Sequence, residues 1–224
     1  MSIFQLTREP VFPDPKLAED NGLLAVGGDL SIKRLLAAYS KGIFPWYSQG
    51  DPPLWWFTDP RLVIFPSEFK VSKRLARTLR NSGFTITFNK EFETVINSCA
   101  NIRIADGEGT WISDDMKEAY CNLHQAGYAL SVECWLGDQL AGGLYGISLG
   151  QVFFGESMFT RISNGSKAAL VALVNYLKQQ DFAVIDCQMT TQHLVSFGGR
   201  EIDGDEFRHL LQRHIPHTFT NERK

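Results

Sequence analysis

No apolar run in this chain approaches 18 residues, and the N-terminus MSIFQLTREP has no basic-then-apolar leader pattern. The first absence argues against a membrane-spanning helix and the second against a secretory signal, so a soluble, cytoplasmic protein is expected. The four cysteines, Cys99, Cys121, Cys134 and Cys187, show no C-x-x-C spacing and no paired histidine motif. They read as reduced, mostly buried thiols, and no metal site is expected from them. There is no G-x-x-x-x-G-K-[ST] and no strand-linked G-x-G-x-x-G, so nucleoside-triphosphate and dinucleotide chemistry are not indicated. G-x-S-x-G and H-E-x-x-H are missing too, which removes the usual serine-hydrolase and zinc-protease patterns. A basic excess is also lacking: the net charge is −3, and any contact with nucleic acid has to come from a local patch. Histidine is scarce. Of five, His209, His214 and His217 read as surface, His124 falls on a helix, and His193 follows Asp186 closely enough to be a further site candidate.

What is present is ordinary core-forming material, 44% hydrophobic and 21% charged over 224 residues, enough for one large domain with a small accessory lobe. Residues 1–61 are rich in proline, glycine and tryptophan, with one helix signal from Ser31 to Lys41 closed by Gly42. Within them FPWYSQGDPPLWWF (44–57) packs six aromatics and three prolines into fourteen residues, and is expected to form an irregular aromatic surface or lid. From residue 62 the pattern becomes regular. Strands are expected at 62–65 and 84–89, with helices over 71–81, from about 91 to 101, and from Ser113 to Gly127. Three strands joined by tight turns follow between 129 and 159, then a helix over about 165–180, a buried strand AVIDCQ (183–188) and a helix near 205–213. The order predicts an α+β fold: a small N-terminal lobe (1–61) and a second domain (62–224) with a mixed central sheet flanked by helices.

Four groups of residues are candidates for chemistry. In the strand AVIDCQ, Asp186 and Gln188 lie two apart and are expected to project to one side; a carboxylate there is either a reactive group or a strand-end acceptor for loop backbone. Glu156 follows the apolar strand QVFF within GESMF (155–159), placed either to hold a cation at the mouth of an apolar pocket or simply solvated. Trp111, in the glycine-containing loop EGTWI (108–112), and Trp46 are flat platforms for a nucleobase, or core side chains. On the helix 71–81, Lys73, Arg74, Arg77 and Arg80 fall within about 120° of arc, with Val71, Leu75 and Leu79 opposite. No acidic residue occurs from Phe69 to Lys90, so the stripe is unneutralised and suits a phosphate backbone.

Taken together, NGLLAVGGDLS (21–31), RLLAAYSKGIFPWYSQGDPPLWWFTDPR (34–61), EGTWI, GGLYGISLGQVFFGESMF (142–159), SKAAL (166–170), DCQ (186–188) and HLVSFGGREI (193–202) resemble the bacterial leucyl/phenylalanyl-tRNA–protein transferases. Gly165 and Gly199 depart from the family pattern, each standing where alanine is expected, and they leave the local start of the helix open. The resemblance implies an acetyltransferase (GNAT)-like second domain. It implies transfer of Leu or Phe, and less readily Met, from aminoacyl-tRNA to the N-terminal Arg or Lys of proteins or peptides, which marks them for degradation. It further implies that Asp186 and Gln188 orient and activate the attacking amine, directly or one through the other, and that Glu156 holds the basic acceptor end. An apolar pocket of Leu144, Phe153, Ser157, Met158, Leu173 and Ile185 would take the aminoacyl side chain. Trp46 and Trp111 would sandwich the terminal adenine, and Lys73, Arg74, Arg77 and Arg80 would bind the acceptor-stem backbone. No metal, organic cofactor or membrane is implied. The alternative from the residues alone is a non-catalytic tRNA- or RNA-binding module. An acyl-CoA acetyltransferase would need a fuller glycine-rich loop than Asn164-Gly165-Ser166-Lys167.

Overall fold

A computed structural model of the chain describes residues 3–105 and 110–216. The N-terminal part contributes β1 (Phe4–Gln5), β2 (Leu23–Val26), α1 (Ile32–Tyr39), β3 (Phe44–Pro45) and β4 (Leu54–Trp56). Its four strands form one sheet in the order β1-β2-β4-β3, with only β1 and β2 parallel. α1 starts where Ser31 caps the Arg34 N–H and ends before Gly42, whose φ of 76° lies in the left-handed region.

The segment 44–57 departs from the irregular surface expected of it. β4 is an inner strand, and Trp55 is fully buried with its indole N–H donating to the Gly27 carbonyl at 2.8 Å. Pro52 and Pro53 sit just before β4 and Pro45 lies on the edge strand β3, so none of the three prolines interrupts an inner ladder.

The larger part continues with β5 (Arg61–Ile64), α2 (Lys73–Arg80), β6 (Phe84–Phe88), α3 (Phe92–Ala105), α4 (Asp114–Gln125), β7 (Ala129–Leu136), β8 (Gln139–Leu149) and β9 (Val152–Thr160). It ends with α5 (Gly165–Gln179), β10 (Val184–Asp186), α6 (Gln192–Val195), β11 (Arg200–Ile202) and α7 (Gly204–His214). The seven strands of its sheet run β11-β5-β10-β9-β8-β7-β6. β6 to β9 pair antiparallel in sequence order, whereas β9 and β10 are parallel and joined through α5, as a parallel pair requires. This is the α+β, mixed-sheet architecture read from the sequence; β1, β2, β11 and α6 are additions to it.

Alternation along β8 and β9 divides the core into two layers. Tyr145, Ile147, Phe154 and Phe159 face a cluster that includes Val95, Ile96, Met116 and Tyr120 of α3 and α4 and continues into Leu35, Tyr39 and Trp55. Leu144 and Phe153 face the other cluster, with Ala169, Leu173 and Leu177 of α5. Gly142 and Gly165 bring β8 and α5 together, since a Cβ on Gly142 would meet the Gly165 carbonyl carbon at 2.6 Å. No helix among the described residues is long and apolar enough to cross a membrane.

Candidate active site

The register between β9 and β10 stops at Phe154↔Asp186, but β9 runs on to Thr160 paired with β8. Beyond that last pair the two parallel strands part, and a cavity of about 400 Å³ opens between them. Leu144, Phe153, Ser157, Met158, Leu173 and Ile185 all line it, together with Glu156, Gln188, Trp46 and Trp111. The residues singled out in the sequence, the basic helix and Asp186 apart, therefore meet at one opening. Leu170, Cys187, Met189, His193 and Leu194 also line it.

Asp186 ends β10 and is fully buried. Arg61, the first residue of β5 and equally buried, clamps it with two hydrogen bonds: Nε to Oδ1 at 2.8 Å and Nη2 to Oδ2 at 2.7 Å. The guanidinium also donates from Nη2 to the Gly42 carbonyl at 2.8 Å and is surrounded by the rings of Phe44, Phe57 and Phe207 at 4.7–5.6 Å. The pair satisfies the rule that a buried carboxylate needs a counter-charge and full hydrogen bonding.

Gln188 reaches the same carboxylate by a route that differs from strand alternation. The strand stops at Asp186, and Gln188 has a left-handed φ of 55°. Its backbone N–H donates to Asp186 Oδ1 at 3.0 Å and its side-chain amide to Oδ2 at 3.2 Å, a turn closed on the aspartate. The Gln188 carbonyl accepts from Thr58 Oγ1 at 3.2 Å and from the Leu62 N–H at 3.4 Å. With its NH₂ group turned to the carboxylate, the amide has Oε1 left as an acceptor with no hydrogen bond among the described residues.

Glu156 owes its position to a β-bulge. Tyr145 pairs with Ser157 and Gly146 with Gly155, so Glu156 is the extra residue of β9 and has no partner in the ladder. Its Oε1 accepts from the Tyr39 hydroxyl and its Oε2 from the Tyr120 hydroxyl, each at 2.8 Å, and the two hydroxyl oxygens lie 2.5 Å apart. Burial pushes the Glu156 carboxyl up to about 7, against the lowering effect of the two tyrosines. Burial likewise raises the Tyr39 and Tyr120 hydroxyls and the Cys187 thiol, which disfavours the thiolate. Burial and the nearby Lys167 lower the His193 imidazole below its usual range, and its ring lies edge-on to Phe197 at 5.2 Å.

Trp46 is 39% exposed and Trp111 is partly buried, so both keep ring surface at the cavity. Glu108 and Gly109 of the loop before Trp111 lie outside the described residues. Lys73, Arg74, Arg77 and Arg80 are all exposed on α2, and among the described residues none of them is ion-paired, while Leu75 and Leu79 pack inward. Arg61, Tyr39 and Tyr120 are the site residues that sequence reading misses. Arg61 directly precedes an apolar strand, and the cost of burying Asp186 signals that such a cation must exist without saying where.

The model of the leucyl/phenylalanyl-tRNA protein transferase family matches residues 63–212, and that of its N-terminal domain matches residues 28–59. The chain belongs to this family. A leucyl/phenylalanyl-tRNA–protein transferase of Desulfotalea psychrophila is 54% identical over 212 residues, covering 95% of this chain and 93% of that one. One from Syntrophobacter fumaroxidans is 54% identical over 222 residues, 99% and 95% of the two chains. Among solved structures, FemX is similar at a TM-score of 0.50 with 10% identity, over 77% of this chain and 66% of that one. An aminoglycoside acetyltransferase from an uncultured soil metagenomic sample aligns at 0.42 with 13% identity, over 53% and 86%. Family membership makes the protein an aminoacyltransferase. Gly165 begins α5 itself, and a Cβ there would meet the Ala141 carbonyl oxygen at 2.3 Å.

Proposed function

We propose that this aminoacyltransferase moves Leu or Phe, and less readily Met, from aminoacyl-tRNA to the N-terminal Arg or Lys of a protein. The observation that carries the reading is that Gln188 lines an apolar cavity with its backbone N–H and side-chain NH₂ both on the clamped Asp186, which leaves Oε1 without a hydrogen bond among the described residues.

An aminoacyl ester is already activated, so the protein has to orient the amine and help remove its proton. The amine nitrogen attacks the ester carbonyl carbon, the C–N bond forms, and the C–O bond to the ribose breaks. The amine's proton ends on the departing ribose oxygen. Gln188 Oε1 accepts one amine N–H and aims the lone pair at the carbonyl. Both oxygens of Asp186 are already occupied by Arg61 and Gln188, which supports a positioning role through Gln188 over direct proton removal. An α-amine has an ordinary pKa of about 8, so orientation with a weak acceptor suffices.

The side chain of the donor occupies the cavity between Leu144, Phe153, Met158, Leu173 and Ile185, which suits unbranched-at-Cβ apolar residues and discriminates weakly among them. Ser157 also lines it, and its hydroxyl has no partner among the described residues. Trp46 and Trp111 take the terminal adenine, and Lys73, Arg74, Arg77 and Arg80 hold the acceptor-stem phosphates without reading sequence. Glu156 supplies the counter-charge for the basic acceptor residue. Dependence on tRNA places the reaction in the cytoplasm, and the new apolar N-terminus serves as a degradation mark. The two lobes divide close to residues 61 and 62, with Arg61 already on β5 of the larger sheet; the separate family matches to 28–59 and 63–212 support a division there.

The test is transfer of labelled amino acid from Leu-, Phe-, Met- and Val-tRNA to two peptides differing only in a first residue of Arg or Ala. Labelling of the Arg peptide by the first three donors is expected. Equal labelling of the Ala peptide would remove the acceptor assignment, and equal use of Val-tRNA would remove the pocket assignment.

A further inference from the structure

Glu156, Tyr39 and Tyr120 form a closed triangle of residues with three oxygen–oxygen sides: Glu156 Oε1 to the Tyr39 hydroxyl at 2.8 Å, Glu156 Oε2 to the Tyr120 hydroxyl at 2.8 Å, and the two hydroxyls to each other at 2.5 Å. Counting protons decides its state. With an ionised carboxylate the triangle holds two hydrogens for three sides, and one pair of oxygens would face each other lone pair to lone pair. With a neutral carboxyl it holds three. The carboxyl O–H then donates to one phenol, that phenol to the other, and the second phenol back to the carboxyl oxygen, so every side carries a hydrogen.

The surroundings favour the three-proton state. Tyr39 comes from α1 and Tyr120 from α4, and both are buried. The Tyr145 ring of β8 packs edge-on against Tyr120 at 5.6 Å. Among the described residues, the charged groups that act on Glu156 are Asp186 of β10, which raises its carboxyl, and Arg61 of β5, which lowers it; these two are paired with each other. Burial, the largest influence on Glu156, disfavours its charge.

We propose that Glu156 waits as a neutral acid within this ring, and that an arriving basic acceptor residue expels its proton. The exchange is balanced: a carboxylic acid and a guanidinium become a carboxylate–guanidinium pair plus one proton released to solvent through the cavity. The inference rests on Glu156 being the counter-charge of the acceptor. It makes acceptor binding weaken as pH falls, through proton competition at the same carboxyl.

Two measurements test it. The first is the infrared spectrum of the wild-type protein minus that of Glu156→Gln, followed across pH. The substituted amide supplies a permanent N–H in place of the carboxyl O–H, so this variant keeps the ring and the fold. A protonated-carboxyl band present near pH 6 and lost with a midpoint near 7 is expected; no band near pH 6 would overturn the neutral ring. The second is calorimetry of an N-acetylated, Arg-starting peptide in two buffers of different ionisation enthalpy at about pH 6, where no amine titrates. Release of about one proton per peptide bound is expected, falling toward zero above about pH 8. No release, with Arg-over-Ala selection still lost in Glu156→Gln, would overturn the proton exchange and leave the acceptor assignment standing. Unchanged Arg-over-Ala selection in Glu156→Gln would sink that assignment and this inference with it.

Discussion

Arg61 and Asp186 face each other with neither side chain exposed, so each is tolerable there only because of the other. Arg61→Leu should cost about 3–5 kcal/mol in urea unfolding, because it strands a buried carboxylate. The double variant Arg61→Leu/Asp186→Asn should recover part of that loss while transfer stays abolished. Glu156 obeys a different pH logic. Its carboxyl is lifted from 4.5 to about 7 in the folded protein, so the fold holds its proton more tightly than the unfolded chain does. Its contribution is fully present below about 4.5 and is lost as pH rises to about 7. Glu156→Gln has no such loss, so its stability relative to wild type should climb over that window and level off above it, by at most about 3 kcal/mol. A Tm difference independent of pH would contradict this. At this scale the sequence is informative about chemistry and blind to partnership. Asp186 in an apolar run announces a special carboxylate, but Arg61, more than a hundred residues away, is found only by folding the chain. Gln188 lies beside Asp186 as expected, through a left-handed turn that strand periodicity does not foresee.

Elements were more legible than their partners. Periodicity locates α1, α2, α4 and α5, and Ser31, Ser72 and Ser113 cap the first three by accepting a backbone N–H, whereas α5 starts after Asn164 without a side-chain cap. The meander β7-β8-β9 follows from its turn residues. β1, β2 and β11 are only two to four residues long, too short for a period to show, and β11 depends on β5 for its pairing. The bulge at Glu156 is equally invisible, since it exists only against β8. α2 makes the clearest element-scale prediction. Replacing Lys73, Arg74, Arg77 and Arg80 one at a time by Ala should weaken tRNA binding equally for all donor tRNAs. Each cation taken away from a phosphate should reduce the salt slope of binding by about one. Transfer at saturating donor should be unchanged, and a binding loss specific to one tRNA would contradict a backbone-only role.

The two lobes are fastened together at the site itself. Gly42 closes α1, gives its carbonyl to Arg61, and leaves no room for a side chain: a Cβ would meet Phe207 at 2.6 Å and Leu211 at 3.1 Å, both on α7. Gly42→Ala should therefore destabilise the molecule by about 1–3 kcal/mol through overpacking, and more through its φ of 76°. It should also lower transfer by displacing Arg61, which a purely structural glycine would not do in the protein that remains folded. Around this junction are assembled an apolar cavity, the amide of Gln188 just past the end of β10 and the bulged carboxyl of Glu156 within β9. The measurement that tests the account most directly is single-turnover transfer of labelled Phe from Phe-tRNA to an Arg-starting peptide by Gln188→Ala, with tRNA affinity measured on the same sample. Transfer reduced by at least about a hundredfold, with Phe-tRNA affinity unchanged, is the predicted result. Transfer at the wild-type rate would contradict it, and the amine would have to be oriented by some other group.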